Sequence, residues 1–167
     1  RIGTVLADSA QRPADQLGKA FYPEIMKMDL RTKKPWKLML RSTALAGGVA
    51  LLAVLILLVA GKPLVRLLFG EEFIGAYPVL VVLLAIPLMG FLAFPLGPML
   101  YAFDRSSGPL KARLFGVVTF FAIVAAMSWW LGVIGAAIAY VIGYAAIVTA
   151  LVVQVVAEYR RRRATKT

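Results

Sequence analysis

The chain has 167 residues, no Cys and no His, and is 61% hydrophobic with only 16% charged residues. Soluble domains carry about 25% charged residues, and the mean hydropathy here is +0.83, so composition argues against a water-soluble domain. Without Cys or His there is no thiol nucleophile, disulfide, zinc cluster or His-containing triad, and no cofactor, metal site or catalytic residue is expected. The net charge is +11, but the basic residues flank apolar runs, so the expected partner is membrane lipid, not nucleic acid. The chain begins at Arg1, which predicts a piece of a longer protein.

Residues 1–30 carry an amphipathic pattern. Leu6, Ala10, Ala14, Leu17, Phe21, Ile25 and Met28 recur at helical spacing. Asp8, Arg12, Asp15 and Lys19 form a second ridge of alternating sign at steps of four, three and four. Pro13 restarts or kinks this helix. Two readings stand. The helix lies at the interface with its charges in water, or it crosses the membrane and its charged ridge lines a hydrated cavity. In the second case Arg12, Asp15 and Lys19 are the candidate substrate-binding residues.

Three windows then lack Asp, Glu, Lys and Arg: Ser42–Gly61, Phe73–Phe103 and Leu114–Ala157. A helix needs about 20 apolar residues to cross the hydrocarbon core. The first window is one span, about 42–61. The stretch from Lys62 to Gly70 predicts a small interfacial helix with Pro63 in its first turn and Gly70 at its end. The second window is one long span, about 77–103, broken by Pro87, Pro95 and Pro98, which mark a hinge, a cavity wall or a static kink. Each internal Pro removes a backbone donor and frees the carbonyl four residues earlier. The third window has 44 residues, enough for two antiparallel helices, about 114–131 and 134–157. The turn falls at Ser128-Trp129-Trp130-Leu131-Gly132, where Trp favours the interface and Gly a tight turn. Gly135, Ala139 and Gly143 stand at four-residue steps and form a ridge for close helix approach.

The expected fold is thus an all-α polytopic membrane helix bundle. It has four clear transmembrane helices (42–157), preceded by an amphipathic N-terminal helix and a basic cytoplasmic loop (1–41). A basic cytoplasmic tail (158–167) follows. Successive loops carry 6, 2, 3, 0 and 5 basic residues. The positive-inside rule puts the first, third and fifth in the cytoplasm, 14 against 2, and with them the C-terminus. The run Arg160–Arg163 closes the last span as a stop-anchor that meets anionic lipid.

No enzyme motif appears. Gly61-Lys62 resembles the end of a phosphate-binding loop, but Ile56 stands where Gly is needed and Pro63 where Ser or Thr is needed. Glu71-Glu72 is a paired carboxylate with no base beside it.

Several stretches carry a family resemblance. They are Ala20-Phe21-Tyr22-Pro23-Glu24-Ile25, Gly61-Lys62-Pro63-Leu64-Val65-Arg66-Leu67-Leu68-Phe69-Gly70-Glu71-Glu72-Phe73, Ala76-Tyr77-Pro78-Val79-Leu80, Pro98-Met99-Leu100-Tyr101-Ala102-Phe103-Asp104-Arg105 and Gly132-Val133-Ile134-Gly135-Ala136-Ala137-Ile138-Ala139-Tyr140. In this order and spacing the chain resembles the C-terminal part of a polysaccharide biosynthesis flippase. These proteins belong to the multidrug/oligosaccharidyl-lipid/polysaccharide exporter superfamily. The resemblance implies a bacterial inner-membrane exporter that flips an undecaprenyl-linked oligosaccharide, such as an O-antigen unit of lipopolysaccharide, by alternating access. It implies two helical lobes around a central cavity, cationic residues for the carrier's pyrophosphate, and a missing N-terminal lobe of the same protein as partner. Energy would come from an ion gradient or the membrane potential, with no cofactor. The alternatives are a multidrug-type exporter or peptidoglycan-precursor flippase of the same superfamily, a non-transporting membrane assembly subunit, and an integral-membrane enzyme.

Overall fold

The computed structural model describes residues 34–164 and, before them, Gln16, Lys19, Ala20, Pro23, Ile25 and Lys27. The element order is α1 (Lys34–Phe69), a 3-10 turn (Glu71–Ala76), α2 (Tyr77–Leu83), α3 (Ala85–Ala93), α4 (Leu96–Ala102) and α5 (Ser107–Ala164). There is no strand among the described residues, so the chain is all-α as expected.

Helix α1 begins with Lys34-Pro35, and Pro suits a first turn because its missing N–H would be an orphan there. Residues 34–41, expected as part of the basic loop, are therefore its opening turns. The apolar window marks where hydrocarbon can begin, whereas the helix starts earlier because Lys and Arg stems tolerate a helical wall while their heads reach water. A second correction concerns Lys62–Gly70. It is no separate helix but the last part of α1, with Pro63 inside it. Pro63 costs one ladder bond, and Tyr77 braces α1 at that level. The Tyr77 hydroxyl donates to the Leu58 carbonyl at 2.8 Å, and its ring covers the bare face of Gly61. Gly70, at φ 94° and ψ 168°, then ends α1 in a conformation that favours glycine.

The run Glu71–Ala102 is broken near the prolines. Breaks fall at Leu84, three residues before Pro87, and at Phe94-Pro95. Leu84, Phe94 and Pro95 all keep right-handed helical dihedrals, so the interruptions remove ladder bonds without unwinding the chain. Helix α5 folds back on itself at Gly132 (φ 59°, ψ −136°), in the region that opens a type II′ turn and suits only glycine. The two arms, 107–131 and 133–164, run antiparallel. Gly135 lies on the Met127 carbonyl, Gly143 on Phe120 and Gly116, and the Gln154 side-chain amide donates to the Gly108 carbonyl at 3.3 Å. The turn is tighter than the expected five-residue segment, since Trp129 and Trp130 still belong to the helix. The second arm continues through residues 158–164, expected as a tail.

Side-chain contacts gather the other ends of these helices. Trp36 of α1 stacks on Phe103, with ring centroids 5.9 Å apart, and meets Tyr159 of α5 at 4.3 Å. Beneath them Ile25, Ala93, Leu96, Met99, Leu100, Ala102, Phe103 and Val155 form the core. The chain therefore runs up α1, down residues 71–102, and up and down the arms of α5. Lys34, Lys37, Arg41, Arg105, Lys111, Arg113 and Arg160–Arg162 collect towards one end, with Lys62 and Arg66 at the other.

The outer faces of α1 and α5 are apolar and open, for example Leu45, Val59, Phe121 and Trp129. Three helical runs, Lys34–Phe69, Glu71–Ala102 and Ser107–Arg162, are long and apolar enough to cross a membrane. An apolar surface this extensive matches hydrocarbon or further protein, not water.

Candidate functional site

A cavity of about 950 Å³ opens between the broken run, the two arms of α5 and Lys19. That volume sits at the upper end of small-molecule pockets, which run from about 300 to 1,000 Å³. Three helical stretches line it with one periodicity. They are Gly90, Ala93, Phe94, Gly97, Pro98 and Tyr101; then Pro109, Arg113, Gly116, Val117, Phe120 and Phe121; then Tyr140, Gly143, Tyr144, Ile147, Val148 and Leu151. Each set repeats at steps of three and four residues, so each is one face of its helix. The glycines thin the wall, and aromatic rings form much of the rest. Phe120 meets Phe121 at 5.2 Å and Tyr140 at 5.9 Å, both edge to face.

The charged groups in the wall are Lys19 and Arg113, and no carboxylate stands among the described lining residues. Both cations are solvent-exposed. Two cations at the edge of a cavity attract an anion, and the attraction strengthens wherever the site excludes water. Arg offers a planar fork suited to phosphate oxygens, and Lys a mobile point charge. The lining residues of α5 come from the first half of its first arm (109–121) and the middle of its second (140–151), while none comes from the stretch next to the Gly132 turn. The cavity therefore lies towards the basic end of the bundle.

Of the residues expected from sequence, Lys19 lines this cavity, while Arg12 and Asp15 lie outside the described residues. Pro98 is in the wall, Pro95 is fully buried in the core beside it, and Pro87 is half-buried on α3. Gly143 serves both the wall and the contact between the arms. Gly135 packs at the turn and Ala139 is fully buried; neither reaches the cavity. Sequence reading missed Arg113, Tyr101, Tyr140 and Tyr144. Arg113 was counted as a loop cation, yet the spacing Pro109, Arg113, Gly116, Phe120 carried the signal of a helix face.

A second polar cluster closes the basic end. The Glu158 carboxylate is 3.3 Å from Arg105 and 2.9 Å from Arg162. Arg162 also donates to the Phe103 carbonyl at 3.1 Å and lies 4.7 Å from the centre of the Phe103 ring. No group of His, Cys, Asp and Glu suited to a metal occurs among the described residues.

Comparison with known proteins gives a partial match. Over 77 residues, 46% of this chain, the sequence is 47% identical to an inner membrane protein, YghQ, of Escherichia coli strain K12. The matched part spans 22% of that relative's length. No family model and no solved structure matches the chain.

Proposed function

We propose that this chain is part of a bacterial inner-membrane transporter that flips a lipid-linked oligosaccharide for cell-surface polysaccharide by alternating access. The observation that carries the reading is the cavity with Lys19 and Arg113 at its edge and no carboxylate among its described lining residues. A phosphate-linked lipid needs such a site to bring its charged head into the bilayer. The ordered stretches that resemble polysaccharide flippases favour the same reading, and the similarity to an inner membrane protein supports its membrane location.

In this account the two arms of α5 each cross the membrane, so the described bundle contributes four spans. The basic end and the C-terminus face the cytoplasm, which makes the cavity accessible from the leaflet where lipid-linked sugars are assembled. The breaks at Leu84 and Phe94-Pro95 lie in a helix that walls the cavity, the arrangement transporters use at binding sites and hinges. The remaining lobe belongs to the part of the protein outside this chain. The activity moves a molecule and breaks no bond in it.

The test is cellular. Cells lacking the full-length protein should retain lipid-linked glycan in the cytoplasmic leaflet and lose surface polysaccharide, and the wild-type gene should restore both. Unchanged surface polysaccharide in the deletion would overturn the proposal.

A further inference from the structure

Three kinds of glycine occur among the described residues. Gly70 and Gly132 take positive φ, a conformation that a side chain would strain. At Gly47, Gly61, Gly108, Gly116, Gly135 and Gly143 an added methyl group would press on a neighbouring atom. At Gly48, Gly75 and Gly97 it would meet nothing within 4 Å. Gly48 and Gly75 are exposed, whereas Gly97 is half-buried and lines the cavity. Glycine at this position weakens α4, since most other residues hold a helix better. The proline after it does not explain the choice. A residue before proline resists helical dihedrals because its Cβ meets the proline ring, and glycine would relieve that. Yet Ile86, before Pro87, lies inside α3, and Phe94, before Pro95, keeps φ −53° and ψ −35°. This chain therefore holds larger residues in the same setting.

What the missing side chain leaves is space. On the helix face that lines the cavity, Phe94 stands three residues before Gly97 and Tyr101 four residues after it. Gly97 is a notch between two aromatic residues, open to the cavity. We infer that Gly97 sets the size of head group the cavity admits, with the part of the cargo beyond its phosphates in the notch. The inference rests on the transport reading above and adds the residue that selects cargo by bulk. Lys19 and Arg113 belong to the same wall, so an anionic head drawn to them enters the space beside Gly97. The outer faces of α1 and α5 are apolar and open, and a polyprenyl tail gains little by leaving hydrocarbon for another apolar surface. The tail can therefore stay in the bilayer while the head takes the notch.

The test uses the full-length protein in lipid nanodiscs and two probes, undecaprenyl diphosphate and the same lipid carrying a short oligosaccharide, with affinities read by native mass spectrometry. The wild type should bind both. Gly97→Leu should weaken the glycan-bearing probe about tenfold, as overpacking a filled site does, and leave undecaprenyl diphosphate binding unchanged. Gly97→Ala should weaken the glycan-bearing probe less, in the order of side-chain size. Thermal unfolding of both variants should stay at the wild-type temperature or above it. Wild-type affinity of Gly97→Leu for the glycan-bearing probe would overturn the inference and leave the transport reading standing. An equal loss for both probes would do the same, because it would put the diphosphate or the tail over Gly97. A clear fall in the unfolding temperature of Gly97→Ala would also overturn it, making the glycine a requirement of Pro98. If the wild type binds neither probe, the transport reading fails and the inference with it.

Discussion

A methyl group added to Gly116 would stand 2.6 Å from the carbonyl oxygen of Gly143. The two arms of α5 thus meet backbone to backbone at this pair. In a bilayer, helices gain little from burying apolar surface against one another, because lipid is equally apolar, and close contact of small residues replaces that drive. The same added methyl would overlap Ile147. Gly116→Leu and Gly143→Leu should therefore separate the arms and lower the amount of folded protein recovered from membranes several-fold. Gly48→Leu on α1, where nothing lies within 4 Å, should be tolerated. Equal recovery of all three variants in detergent would show that the arms do not depend on this contact.

Arg162 should matter more than Arg105 at the basic end. Arg105 is half-exposed and makes one ion pair with Glu158, a contact worth about 0–1 kcal/mol at such exposure. Arg162 joins Glu158, the Phe103 carbonyl and the Phe103 ring, and losing all three should cost about 2–3 kcal/mol. Thermal unfolding in detergent should therefore rank wild type above Arg105→Ala, and Arg105→Ala clearly above Arg162→Ala. The reverse order would show that Arg105 carries the cluster.

The proposed orientation makes a labelling prediction. The chain has no Cys, so single cysteines report without background from it. Ala76→Cys and Trp129→Cys, both at exposed positions, should react in intact cells with an impermeant thiol reagent. Ser106→Cys, exposed at the basic end, should react only after the membrane is opened. The opposite pattern would invert the bundle and turn the cavity to the outside.

Much of the bundle was legible in the residues, for identifiable reasons. The charge-free windows located the apolar helices because lipid tolerates few ionised groups. The prolines announced the breaks at Leu84 and Phe94-Pro95, and Gly132 announced the turn. Helix ends were less legible, because Lys34, Lys37, Lys111 and Arg113 continue their helices into the region where charges begin. Pro63 signalled a new helix yet sits inside an old one, held by Tyr77 from a neighbouring element. The cluster of Arg105, Glu158 and Arg162 was invisible, since it joins loop and helix across a long stretch of chain. The cavity was half visible. Lys19 stood out on a charged ridge, while Arg113 was absorbed into the charge count that set the orientation.

Translocation itself is the most direct measure of the proposal. The full-length protein, reconstituted into liposomes with a fluorescent undecaprenyl-diphosphate glycan, should move the glycan between leaflets when a membrane potential is imposed. The movement, read as loss of access to an impermeant glycosidase, should need no ATP. The Lys19→Ala, Arg113→Ala double variant should translocate at least tenfold more slowly, because the diphosphate loses both cations at the cavity edge, while its thermal unfolding stays near that of wild type. Translocation by the double variant at the wild-type rate would contradict the account.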